Sequence, residues 1–264
     1  MTYKNIHFEI KEKNIAVLTL NRPDRLNALD NETFAEMSTL FMELEDREDF
    51  RVLIVTGEGR AFCAGGDVKG QPTRFGWPRD RHQDRLRAVH FGVVKALTVI
   101  KQPTMALING VAAGGGLSLA LACDLRLACQ SARFGAGFRR VALAVDMGLS
   151  YFLPRMVGMG KAYEILYSGE LLSAEEALQI GLVNRLIPDD LLWEQGMALA
   201  RSIASGPPLA FRIVKQAIAS GAVSGLDAAL ELEAALQSLC LSSEDHREGA
   251  TAFLEKREPV FKGK

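Results

Sequence analysis

Residues 103–129 read PTMALINGVAAGGGLSLALACDLRLAC, and this stretch constrains the chain more than any other. Residues 104–108 are expected to form a short buried strand, with a turn at Asn109-Gly110. After three consecutive glycines (114–116), residues 117–122 have helical composition, and 125–128 read as another strand. A strand that turns through glycines into a helix points backbone N–H groups into a cleft, at the positive end of the helix dipole. Glycine also lets a ligand or a second backbone approach where a Cβ would block it. The same pattern serves equally as a tight turn before a buried helix. It is not a phosphate loop, because no Lys-Ser/Thr pair follows the glycines. The run Gly57-Glu-Gly59-Arg-Ala-Phe62 begins like a dinucleotide fingerprint but fails at its last position.

Charge is nearly balanced, with 31 basic and 32 acidic residues. No global field therefore favours nucleic acid or an anionic membrane as a partner. The N-terminus, MTYKNIHFEI, lacks the apolar core of a signal peptide. The longest weakly polar run, 111–123, falls short of the roughly 20 residues a membrane helix needs. Four cysteines form no CxxC pair and four histidines lack ligand spacing, so neither a metal site nor a disulfide framework is expected. These features predict a reduced, cytoplasmic protein without cofactor.

In chain order, 8–10 and 15–20 are expected to pair as a hairpin, and 22–29 to form a loop around Pro23. Asp30 is placed to cap a helix through about 46. Residues 52–55 form an apolar strand, and 57–67 a second glycine-rich turn. A loop at 70–80 precedes a long helix over 80–101. Ser173-Ala-Glu-Glu176 is a capping box, 182–187 a strand, and 189–204, 208–220, 224–241 and 243–256 helices. Length and order fit a single α/β unit, with a core over 1–200 and a helical region over 201–264.

Each glycine turn follows an apolar strand, and two N–H groups converging on one point would make an oxyanion hole for a carbonyl oxygen gaining negative charge. The pair Ala61-Phe-Cys-Ala-Gly-Gly-Asp67 and Ile108-Asn-Gly-Val-Ala-Ala-Gly-Gly-Gly116, followed by Cys123-Asp124, resembles the crotonase (enoyl-CoA hydratase/isomerase) superfamily. Further matching motifs are Arg22-Pro-Asp-Arg-Leu-Asn-Ala-Leu29, Leu153-Pro-Arg-Met-Val-Gly158, Ser173-Ala-Glu-Glu-Ala177, Gly181-Leu-Val183 and Phe253-Leu-Glu-Lys-Arg257, in the family's order over nearly the whole chain. The resemblance implies an α/β spiral of ββα units with a helical C-terminal region that makes trimers, or dimers of trimers. It implies an acyl-coenzyme A thioester as substrate, its carbonyl held by the N–H groups of Gly66 and Gly115. Coenzyme A contacts are implied at Arg25, Ala28, Ala64, Asp67 and Val68, with Phe253 and Lys256 reaching in from the C-terminal region.

The chain departs from the family's hydratases. Their two glutamates fall at Ser118 and Phe138 here, so two-carboxylate hydration is disfavoured. Asp146 matches a position where acids recur in members that shift double bonds, such as the dienoyl-CoA and epoxyphenylacetyl-CoA isomerases. The same position holds the nucleophilic aspartate of 4-chlorobenzoyl-CoA dehalogenase. Asp146 lies among apolar residues, which suits a working base, but aspartate is also a preferred helix cap. Phe138 and Phe91 are candidates to line an acyl pocket, and His90 reads as an ordinary helix residue. The expectation is an acyl-CoA isomerase with Asp146 as its one carboxylate. Hydration, dehalogenase-like chemistry and non-catalytic acyl-CoA binding are the alternatives.

Overall fold

The structure, a computed structural model, describes residues 3–70 and 72–264. β1 (Ile6–Lys11) and β2 (Ile15–Leu20) pair antiparallel through one 3-10 turn at Glu12–Asn14, with Ile6 opposite Leu20. α1 (Asn31–Leu44) starts where Asp30 accepts a hydrogen bond from the Thr33 N–H at 2.8 Å, and it buries Met37, Leu40, Phe41 and Leu44. β3 (Val52–Gly57) is buried throughout and leads to β4 (Ala61–Cys63). α2 (Arg79–Val89) and α3 (Ala96–Val99) are separated by a π-helical segment, His90–Lys95. The continuous helix expected over 80–101 is thus broken in register.

β5 (Thr104–Ile108), β6 (Val111–Ala113) and α4 (Gly115–Leu121) form the next unit. β7 (Leu125–Cys129), β8 (Arg133–Gly135), α5 (Leu149–Val157) and α6 (Met159–Ser168) follow. β9 (Leu172–Ser173) runs into α7 (Ala174–Gln179), whose capping box forms as expected: the Ser173 hydroxyl accepts from the Glu176 N–H, and the Glu176 carboxylate from the Ser173 N–H. β10 (Arg185–Ile187) is shorter than the strand expected over 182–187, because the N–H groups of Leu182 and Val183 still close on Ala177 O of α7. α8 (Leu192–Ser205), α9 (Pro208–Gly221), α10 (Leu226–Leu241) and α11 (Glu244–Glu255) complete the chain.

Two sheets result, ordered β1-β2-β3-β5-β7-β10 and β4-β6-β8-β9. From β2 to β10 the first sheet is parallel, and the second is parallel except for β8 against β9. The successive pairs β3/β4, β5/β6 and β7/β8 each place one strand in each sheet before the chain enters a helix. This is a spiral of ββα turns, and it stacks the loops between paired strands and helices along one edge. The second sheet escapes a pattern reading because its strands are two or three residues long, too short for an alternation to register. α8 packs against β2, β3, β5 and β7, with Met197, Ala200 and Ala204 buried. The Arg51 guanidinium donates to Ala204 O at 3.0 Å and to Phe261 O at 2.9 Å, fastening the C-terminal segment to the start of β3. Beyond that tie, α9 buries no residue and α10 only Leu236. Among the described residues, no helix is long and apolar enough to cross a membrane.

Candidate active site

The two glycine turns meet. Gly114 (φ 51°, ψ −121°) takes a conformation closed to residues with a Cβ, and its N–H donates to Gly135 O at 2.9 Å. One residue into α4, a Cβ on Gly116 would lie 2.1 Å from Cys63 O, so only glycine lets α4 press against β4. On the other turn, the Leu29 N–H donates to Gly65 O at 2.7 Å and the Asp67 N–H donates to Leu29 O at 2.9 Å. That is a parallel bridge between Leu29 and Gly66, and its alternation turns the N–H of Gly66 away from Leu29. This N–H has no acceptor among the described residues. Gly115 is the first residue of α4, where an N–H has no intrahelical partner. A Cβ built on Gly115 would lie 4.0 Å from the Gly66 nitrogen. Two unsatisfied donors therefore face one small volume, the arrangement that stabilises an oxyanion.

Arg22 fixes the Gly66 side of this pair. Its Nη2 lies 3.0 Å from Asp30 Oδ2 and 3.1 Å from Asp67 Oδ2, and its Nη1 donates to Ala28 O. One guanidinium thus joins the 22–30 loop, the cap of α1 and the residue after Gly66. Burial works against ionised Asp30, yet the N–H and hydroxyl of Thr33, with Arg22, hold its carboxyl below the usual range. Beneath the turn, burial pushes the Cys63 thiol up to about 12, although the Gly65 N–H donates to its sulfur. Cys63 stays a protonated core residue at neutral pH, and not a nucleophile.

Asp146 stands opposite. Its Oδ1 is hydrogen-bonded to His90 Nε2 and accepts from the Met147 N–H at 2.8 Å. Oδ2 has no hydrogen bond among the described residues. The Asp146 carbonyl accepts from the buried Ser118 hydroxyl at 3.0 Å, so the residue at the missing glutamate's position supports the loop that carries Asp146. Met147, at φ 51°, packs its sulfur 2.8 Å from where a Cβ on Gly115 would sit. The helix cap, the alternative role of Asp146, is not formed: α5 begins after Gly148, at φ 79°, with no side-chain cap. Nor is the carboxylate in a dry apolar pocket. Its side chain is 35% exposed, because residues 142–145 point outward and His90 occupies one flank.

His90, which by sequence reads as an ordinary helix residue, lies against the candidate base. It opens the π-helical segment, 56 positions from Asp146, and no local pattern joins the two. Single-turn π segments inside helices recur at functional sites, but their register is invisible in composition.

Of the remaining expected residues, Arg25, Ala28, Ala64, Asp67 and Val68 come together along the rim beside Gly66. Arg25 is exposed with Asp24 at 3.4 Å, the Ala64 N–H donates to Leu26 O at 2.9 Å, and Val68 is exposed. The Asp67 carboxylate is committed to Arg22 and to the Lys69 N–H at 3.0 Å. Phe138 is half-buried, its Cζ 3.9 Å from a Cβ on Gly114, while Phe91 is largely exposed. Phe253 is exposed on α11, and Lys256 closes that helix at φ 54°. Neither makes a hydrogen bond or ion pair to the glycine turns among the described residues.

A model of the enoyl-CoA hydratase/isomerase family matches residues 10–264. The chain is similar to the 1,2-epoxyphenylacetyl-CoA isomerase of Escherichia coli K12, 37% identical over 96% of this chain and 97% of the relative. It is similar to the crotonyl-CoA hydratase of Syntrophomonas wolfei, 36% identical over 99% of both. The crystal structure of an enoyl-CoA hydratase from Bacillus anthracis superposes with a TM-score of 0.93 at 34% identity, over 99% of this chain and 100% of that one. With the ββα spiral, the paired glycine turns and matches of this extent, the chain belongs to the enoyl-CoA hydratase/isomerase family.

Proposed function

We propose that this acyl-CoA-processing family member is an isomerase that moves a double bond through an enolate, with Asp146 as its single carboxylate base. The observation that carries this reading is the free Oδ2 of Asp146 on a loop tied to α4, while a buried serine and a phenylalanine stand where two glutamates would be. The thioester carbonyl accepts from the N–H groups of Gly66 and Gly115. Asp146 Oδ2 takes a proton from a carbon of the acyl chain, and the electron pair moves onto the carbonyl oxygen. The carboxyl then returns that proton to another carbon as the enolate collapses and the double bond shifts. Substrate and protein conserve atoms and electrons between them, so no metal or redox cofactor enters. The coenzyme A moiety lies along the Arg25–Val68 rim, and Phe138 flanks the acyl group.

Hydration is the second reading, favoured by one observation: the His90–Asp146 pair supplies two proton-carrying groups in contact. In that case the pair activates water, and the enolate is protonated by the same pair. Turnover of enoyl-, dienoyl- and aryl-CoA thioesters in heavy water, followed by mass, separates the two. Unchanged mass apart from deuterium, with a moved double bond, supports isomerisation. Gain of one water supports hydration and overturns the first reading.

A further inference from the structure

We infer that the acyl group of the substrate carries a second anionic group, a carboxylate, and that Arg85 receives it. This rests on the acyl-CoA reading above.

The chain as a whole has a net charge of −1, yet residues 74–87 hold five arginines against two aspartates. Two of these arginines have partners within the segment. Arg87 lies 3.7 Å from Asp84, and the Arg81 guanidinium sits 4.0 Å above the Trp77 ring. Arg85 differs. It is half-buried, and among the described residues no carboxylate lies within ion-pairing distance of it. Its Nε and Nη2 both donate to Asn31 Oδ1, at 3.1 and 2.8 Å, and its guanidinium lies 5.7 Å from the Phe34 ring centre.

That anchoring sets the guanidinium at the start of α1, within electrostatic reach of Asp146. Asn31 follows the Asp30 cap and is two residues from Leu29, whose Cδ1 would lie 3.6 Å from a Cβ on Gly115. On its other flank, the helical run that carries Arg85 continues to His90, which touches Asp146. The electrostatics agree with the geometry. Burial lowers the Arg85 pKa and the positive charge of Arg74 lowers it further, while Asp146 opposes both. A partly desolvated cation beside a second cation, with no carboxylate in ion-pair contact among the described residues, is stabilised by an incoming anion.

The hydrogen bonds also select the ligand's shape. Asn31 takes the Nε–Nη2 side of the guanidinium. The outer edge, with one hydrogen on Nη1 and one on Nη2, is left to a planar two-oxygen acceptor, which a carboxylate matches bidentately. An acyl chain whose carbonyl sits between Gly66 and Gly115 and whose reacting carbon faces Asp146 would carry its far end toward that edge. A phosphate of coenzyme A is the other anion available to this edge.

The test is calorimetric binding of unreactive thioesters to the full chain: butyryl-CoA, then succinyl-, glutaryl- and adipyl-CoA, with coenzyme A alone as reference. At least one dicarboxylic thioester is expected to bind about tenfold or more tightly than butyryl-CoA. In Arg85→Gln that ratio should fall to about one, and in Arg85→Lys, which keeps charge but loses the fork, to an intermediate value. Both variants must melt like wild type, and the Lys variant decides if Gln does not fold. Equal binding of neutral and dicarboxylic thioesters by the wild type overturns the proposal. Equal weakening of every ligand, coenzyme A included, overturns it in favour of a phosphate contact. If coenzyme A and all thioesters fail to bind the wild type, the acyl-CoA reading falls with it.

Discussion

His90 Nε2 and Asp146 Oδ1 are hydrogen-bonded across 56 positions of sequence, and Asp146 Oδ2 is left without a hydrogen bond among the described residues. Because Asp146 caps no helix, its replacement by asparagine tests chemistry with little structural confusion. Asp146→Asn is expected to lower turnover at least about 100-fold, the lower range for a positioned base. Acyl-CoA binding should persist, and deuterium exchange should fall in parallel with turnover. His90→Gln retains a donor to Oδ1 and should lose only about tenfold. An equal loss in both variants would mean that the pair acts as one unit, as hydration requires.

At Gly115 an added methyl meets Met147 Sδ at 2.8 Å and intrudes on the space between the two N–H groups. The sulfur sits on a flexible side chain and can yield, so Gly115→Ala should fold. Its kcat is expected to drop by about 100-fold or more, comparable to the loss of an oxyanion donor. Near-normal kcat with a normal melting temperature would remove the oxyanion assignment.

Restoring the missing glutamate at Ser118 is not expected to create a hydratase. Ser118 is fully buried and its hydroxyl supports the Asp146 loop. A glutamate there loses that bond, overfills the space and buries a charge, a penalty of roughly 2 kcal/mol or more. Thermal melting should show a fall of several degrees for Ser118→Glu, with turnover lowered. A stable variant that hydrates crotonyl-CoA faster than wild type would contradict this.

Removing Arg22 leaves the carboxylates of Asp30 and Asp67 without their shared cation. Arg22→Ala is expected to destabilise by about 2–3 kcal/mol. Arg22→Lys restores charge without the fork, and should recover stability more fully than it recovers kcat. The absorbance shift of a bound aromatic enoyl-CoA, a report on carbonyl polarisation, should shrink in both variants if Gly66 is displaced.

The apolar residues Ile218, Leu226, Leu230 and Leu239 on α9 and α10 are exposed, and grouped apolar faces of this kind mark association surfaces. Light scattering at micromolar concentration should give three or six times the 28.8 kDa chain mass. A monomeric mass would remove both the trimer and any contact of Lys256 with a neighbouring subunit's ligand.

Local signals in the sequence carried much of this site. The glycine runs, the Asp30 cap and the Ser173 capping box are interactions within a few residues, and each forms where its spacing points. Asp146 stands out through its match to family members, because by residue type alone it reads first as a cap. Arg22 lies within the motif Arg22-Pro-Asp-Arg25, but its worth depends on Asp30 and Asp67, which only the fold brings to one guanidinium. His90 had no local signal at all. The second sheet was lost for the same reason, since strands of two or three residues are defined by their neighbours and not by their own pattern.

The π-helical segment at His90–Lys95 has a consequence for insertions and deletions. A π turn is an α-helix holding one residue more than its hydrogen-bond pattern needs. Deleting one residue between 91 and 95 would let α2 and α3 fuse into an ordinary helix. Everything N-terminal to the cut would then rotate by about 100° about the helix axis and advance by about 1.5 Å. His90 would swing off Asp146 and Arg85 off Asn31 together, while Leu97 and Ile100 kept their places in the core. That single surplus residue sets the phase between the part of the helix that holds the protein together and the part that carries Arg85 and His90.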